Sequence, residues 1–226
     1  MSEHDGHRER LRAHFLEHGM DAMRDYEILE LLLFYALPRR DTEPIARKLL
    51  SYFGSLSAVL DAPPQELKTV AGIGDNAALL IRLIAPLSRR YMLSRTEMGV
   101  LLRSSKDTGK FIVPYFHGET EESVYLLCLD SKSKLIACRL LQRGSLNSVT
   151  LPLRKVVEIA INSNAASVIL AHNHPGGVAL PSAADYQATE LVRETLRPLE
   201  IDLLDHVVVS EEDYVSMKDN GFLRDT

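Results

Sequence analysis

A chain of 226 residues, 46% hydrophobic and 25% charged with a net charge of −5, has the composition of a soluble globular protein and the length for two modest domains. The charge balance excludes a strongly basic nucleic-acid binder, since residues 1–100 hold 13 Lys and Arg against 14 Asp and Glu, and residues 101–226 hold 13 against 17. The longest apolar run, Ile28 to Leu37, is interrupted by Glu30 and too short to cross a bilayer, and the N-terminus carries no signal-peptide pattern. A cytoplasmic protein with no membrane partner is therefore expected, and Cys128 and Cys138, in two apolar segments without Cys-x-x-Cys spacing, are expected to be free thiols.

Leu11, Phe15 and Leu16 among charges predict an amphipathic helix over residues 7–18. Asp25 stands as the cap of a helix over Tyr26–Leu37, whose apolar residues cover more than one stripe and so predict a central position. Pro38 to Asp41 breaks it, and Thr42–Phe53 follows as a helix with Ile45, Leu49 and Leu50 inward and Gly54 as its stop. After Pro63-Pro64 a short helical turn is expected at Gln65–Thr69. Val70 to Ile81, with Gly72-Ile73-Gly74 at its centre, resembles a helix-hairpin-helix motif spanning about residues 65–85. In that motif two short helices flank the turn, and Gly72 and Gly74 would let backbone amides approach a DNA phosphate. Two readings stay open, weak nonspecific DNA binding and plain packing. Lys68, Arg82, Arg89 and Arg90 favour the first as a local patch, whereas Asp75-Asn76, where basic residues often follow, and the near-neutral charge favour the second.

Residues 94–122 are polar and poorly periodic except for a helix expected at Thr108–Phe116. The domain boundary is placed at 94–104, giving domains 1–98 and 104–226. Strands follow, with Ser123–Leu129 and Leu135–Leu141 forming a hairpin around the Asp130–Lys134 turn. Val156, Val157, Ala160 and Ile161 mark a helix ended by Ser163-Asn164. A strand, a helix from Ser182 to about Arg197 and a strand at Leu203–Val209 complete an α/β sandwich.

The stretch from Val168 to Asp185 holds the chemistry. It reads as a buried strand closed by His172 and His174, whose side chains at i and i+2 share a face while Asn173 takes the other. The Pro175-Gly176-Gly177 turn lets the chain double back, so that Asp185 in the first turn of the next helix can approach both imidazoles. Singly, each piece has a plainer use: a hydrogen-bonded strand-end histidine, or a Ser182-x-x-Asp185 capping box. Together they offer two nitrogens and one oxygen with a fourth position open, the donor set of a catalytic zinc site.

These residues also carry a resemblance. His172-Asn173-His174, seven residues from Pro175 to Pro181, then Ser182-x-x-Asp185, matches the His-x-His-x7-Ser-x2-Asp signature of JAMM (MPN+) metalloproteases. Within that group the chain resembles the bacterial RadC family over nearly its whole length. The resemblance implies an N-terminal all-α domain with a helix-hairpin-helix motif and a C-terminal α/β MPN domain (JAMM, cytidine-deaminase-like). It also implies one zinc per chain on His172, His174 and Asp185, and hydrolysis of an amide or isopeptide bond in a protein or peptide substrate. By family spacing Glu122, eight residues before Asp130, matches the glutamate that takes the proton of the attacking water, with Glu119 and Glu121 as neighbours easily confused with it. Ser182 matches the serine that donates to the developing oxyanion. Two further classes are carried: a DNA-associated repair factor or metal-dependent nuclease, and a non-catalytic MPN scaffold. The chain departs from the family at Gly176, where RadC sequences usually have Ser, and at Leu151–Lys155, which replaces a His-Pro-Arg-Glu stretch. Both changes leave the ligands intact and alter the surface beside them.

Overall fold

The computed structural model describes residues 3–94, 99–144, 146, 151–211 and 213–223. It divides into two compact units, Met1–Ser88 and Arg89–Thr226. The first is helical: α1 (Glu3–His18), α2 (Asp25–Ala36), α3 (Glu43–Phe53), α4 (Leu56–Asp61), α5 (Pro64–Leu67) and the start of α6 (Asp75–Ser94). The expected centrality of α2 is borne out, since Leu29 and Leu33 are fully buried among Ala46 and Leu49 of α3, Val59 of α4 and Ile81 of α6. Gly54, at φ 90°, ends α3 as its missing Cβ allows. Helix α4, capped by the Ser55 hydroxyl, has no counterpart among the expected elements, because six residues are too few to establish a period.

The expected boundary at 94–104 falls later than the observed division. Helix α6 runs unbroken through Pro86 to Ser94, so no linker composition marks the change of unit; part of the expected segment, residues 95–98, lies outside the described residues. The continuous helix is also longer than the two short helices the glycine turn suggested.

The second unit is a three-layer sandwich. Helix α7 (Ser105–Phe116) starts on a Ser104 cap and is followed by β1 (Ser123–Leu129), β2 (Leu135–Arg143), α8 (Leu153–Asn162), β3 (Ser167–Asn173), α9 (Ala183–Leu196), β4 (Asp202–Ser210) and β5 (Asp213–Ser216). The sheet order is β2-β1-β3-β4-β5, with β3 and β4 parallel and the other pairs antiparallel. Strands β1 and β3 are buried on both faces, as central strands covered by helices must be. One face carries Val124, Leu126, Cys128, Val168 and Leu170 against Val156 and Ala160 of α8 and Ala188, Val192 and Leu196 of α9. The other carries Tyr125, Leu127, Leu129, Ile169 and Ala171 against Phe111, Ile112 and Phe116 of α7. The edge strand β5 was not anticipated; its four residues have too little alternation to announce themselves. Cys128 and Cys138 are both free. Among the described residues no helix is long and apolar enough to cross a membrane.

Candidate metal centre

Three side chains converge where β3 ends and α9 begins. His172 is the sixth residue of β3 and shares the face of Val168 and Leu170, towards α9. His174 lies one residue beyond the strand, its amide still bonded to Val209 O of β4 at 2.8 Å. The chain then turns through Gly176, at φ 67°, where a side chain would be strained, and enters α9 at Ser182. The Ser182 hydroxyl accepts the Asp185 amide at 3.3 Å, and Asp185 Oδ2 accepts both the Ser182 amide and its hydroxyl at 2.7 Å each. The capping box is therefore real, and it uses one carboxylate oxygen. The other, Oδ1, faces His172 Nε2 at 3.1 Å. His172 Nε2 is 2.9 Å from His174 Nε2, which is 3.6 Å from Asp185 Oδ2. A tetrahedral zinc with bonds near 2.0–2.1 Å separates its ligands by about 3.3 Å, so these spacings bracket what the ion requires.

The hydrogen-bond directions around the histidines fit the same ion. Thr189 Oγ1 lies 2.5 Å from the Asp185 carbonyl oxygen, which can only accept, so the threonine hydroxyl donates there. His206 Nδ1, 2.6 Å from that hydroxyl, must then be the donor, which makes its Nε2 an acceptor. His172 Nδ1, 2.8 Å from His206 Nε2, therefore carries a proton and leaves Nε2 with a lone pair. His174 reaches the same state independently, because its Nδ1 meets the Val178 carbonyl at 3.1 Å and has to donate. Two imidazole lone pairs 2.9 Å apart beside a carboxylate repel one another unless a cation lies between them, a metal ion or, in its place, a proton on His172 Nε2. Burial pushes the Asp185 carboxyl upward. The hydrogen bond and charge of His172 and the two bonds from Ser182 outweigh it and hold the group well below the usual carboxylate range. Burial, with the nearby charge of His172, keeps His206 neutral by lowering its pKa well below the ordinary histidine value.

The three glutamates separate cleanly. Glu119 is buried in an ion-pair cluster, bonded to Arg89 and, through both oxygens, to Arg143 at 2.5 and 3.2 Å. Glu121 is exposed, and Glu122 is half-buried. In the β1–β3 register the last pair is Val124 with His172, and Glu122 immediately precedes β1. Asn173 fixes this segment: its side chain accepts the Ser123 amide at 2.7 Å and donates to Glu121 O at 3.2 Å.

Residues 102–222 match the family model of the RadC-like JAB domain, and residues 3–79 match the model described as UPF0758 N-terminal. The chain belongs to the RadC family. Its domain is thus of JAB/MPN type, with a His/His/Asp group able to hold a metal.

Sequence reasoning brought together the His172, His174 and Asp185 of this RadC domain, which could hold a metal, and missed His206 and Thr189. Asp205-His206 sits in an ordinary strand pattern, and Thr189 in an ordinary helix pattern, so only the packing of β4 and α9 against β3 connects them to His172. Both are fully buried. Thr189→Val keeps the volume while removing the acceptor for His206 and the donor to Asp185. It is expected to weaken zinc affinity about 10- to 100-fold, whereas Thr189→Ser should bind zinc as the parent does. Competition with a chelator measures both, and unchanged affinity in Thr189→Val would mean that the proton order along this chain does not matter.

Proposed function

We propose that the chain is a zinc-dependent metallohydrolase cleaving an amide or isopeptide bond in a protein or peptide substrate. The observation that carries this reading is the convergence of two Nε2 atoms, each with a bond on its own Nδ1 that leaves Nε2 free for a metal, on the Asp185 carboxylate. A bound zinc supplies Lewis acidity and lowers the pKa of a coordinated water towards neutrality. The chain's own residues do the rest. Glu122, the residue before β1, takes the proton of the attacking water on its carboxylate and returns it to the leaving amine. Ser182, whose hydroxyl donates to Asp185 Oδ2 in this structure, turns that donor to the developing oxyanion. Val178 and Leu180, 77% and 68% exposed in the loop between the ligands, give the site an apolar rim suited to a polypeptide. His174 alone of the ligands reaches solvent, its side chain 21% exposed, and so marks the open side.

The deciding measurement is metal content. The purified protein should carry about one zinc per chain, chelation should remove it together with hydrolytic activity, and zinc should restore both. A protein that neither holds nor takes up metal would overturn the assignment.

For the helix-hairpin-helix-like turn we favour packing over DNA contact. Gly72 has φ 106°, and a Cβ there would meet Ile45 Cδ1 at 2.8 Å, so the glycine is needed for the helices to close. Lys68 is paired with Asp75 at 2.9 Å and Arg89 with Glu119, which removes two of the four cations of the expected patch from phosphate duty. Gly72→Ala should therefore cost about 1–3 kcal/mol, and the full chain should show no salt-sensitive retention of duplex DNA at low ionic strength. Retention that weakens steeply with salt would restore the DNA-associated alternative.

A further inference from the structure

The helical unit holds a second cluster of ligand-type side chains that the hydrolase reading does not use. His7 of α1, Glu30 of α2 and Glu43 of α3 each bring one ligand atom within 4.8 Å of the others. Glu30 is the unusual member. Its side chain is 2% exposed, and Oε1 meets His7 Nε2 at 2.9 Å. Its Oε2 is buried with no hydrogen-bond partner among the described residues. A buried carboxylate oxygen left bare costs more than the pair with His7 returns, and protonating the carboxyl would still leave it without a donor. The surroundings add negative charge. Asp41 accepts the Glu43 amide at 3.2 Å, and Glu43 has only its Oε1 tied to Arg47, at 2.8 and 2.9 Å. Burial, opposed by His7 and reinforced by Glu43 and Asp41, raises the Glu30 pKa, as an uncompensated acid requires.

We propose that His7, Glu30 and Glu43 form a second, structural site for a first-row divalent cation of the zinc type, separate from the hydrolytic centre. One imidazole and two carboxylates are the borderline nitrogen and oxygen donors such ions take, and Glu30 Oε2 is the buried acceptor that lacks a counter-charge. Each ligand comes from a different helix, so the ion would tie α1 to α2 and α3. Helix α1 is otherwise held by Leu11 against Met23, Leu31 and Phe34, and by Arg8 donating to Leu37 O and Arg40 O at 2.7 and 2.6 Å. The cation would act on the docking of α1.

The full chain carrying His172→Ala and Asp185→Asn, which disables the other site, tests this whether or not the protein proves to be a hydrolase. Titrated with Co2+, it should take up about one ion per chain, with ligand-field bands and no thiolate charge-transfer band. Zn2+ should raise its Tm. Adding Glu30→Gln should abolish uptake and the Tm rise while the metal-free protein stays folded by circular dichroism, since the amide keeps the side chain's size and its contact with His7. His7→Gln, at a half-exposed position that cannot collapse the core, should abolish uptake too, and Glu9→Gln should change nothing. No uptake in the background variant, or uptake and Tm rise that persist in both Glu30→Gln and His7→Gln, would overturn the site and leave a plain His7–Glu30 ion pair.

Discussion

Glu122→Gln is expected to keep about one zinc per chain and to lose turnover by roughly two to four orders of magnitude, the usual consequence of removing a general base. The amide is nearly isosteric and cannot accept the proton, while the metal set of His172, His174 and Asp185 is untouched. The neighbouring glutamates supply the controls. Glu119→Gln breaks the buried pairing with Arg89 and Arg143 and should lower stability by about 1–3 kcal/mol, with turnover per folded molecule near the parent. Glu121→Gln, exposed, should be silent in both. Zinc stoichiometry, thermal unfolding and turnover measured side by side distinguish the cases. Full activity in Glu122→Gln moves the base elsewhere, and loss of zinc there makes Glu122 a ligand.

Asp185→Asn should abolish zinc retention and activity together while leaving α9 in place. The two oxygens of Asp185 do different work: Oδ2 accepts the Ser182 amide and hydroxyl, and Oδ1 faces His172. An asparagine oxygen can keep the cap, but a neutral amide cannot replace the anionic ligand. Asp185→Ala loses the reciprocal half of the capping box as well, the Ser182 hydroxyl still accepting the residue-185 amide, and should cost about 1 kcal/mol more in stability than the asparagine variant. The acid limb of the metal-free protein gives a second check. A carboxyl whose folded pKa is depressed contributes stability above its unfolded value, near 3.9, and that contribution is lost as pH falls through the lower folded value. Stability should therefore drop as pH falls below about 4 in the parent and less steeply in Asp185→Asn. A variant that keeps zinc at full occupancy would remove Asp185 from the ligand set.

The sequence by itself determined that His172, His174 and Asp185 come together, because the elements that present them are local. His172 and His174 are brought together by strand alternation, a period of two that needs no partner. Ser182-x-x-Asp185 is a helix start whose geometry closes within four residues. Strands β1 and β3, continuous apolar runs, and the buried α2 were legible for the same reason. The unit division was not, since it falls within one regular helix whose composition carries no break. Among Glu119, Glu121 and Glu122, family spacing alone pointed to Glu122; the capture of Glu119 by Arg89 and Arg143 comes from packing across elements and leaves no mark in the sequence. The same holds for His206, 34 residues from His172, and for the bare oxygen of Glu30, 23 residues from His7. These depend on which side chains pack together across elements, and on whether a buried polar atom finds a partner. Neither is encoded in the spacing of residues along the chain; both follow from the closure of separate elements around a common core.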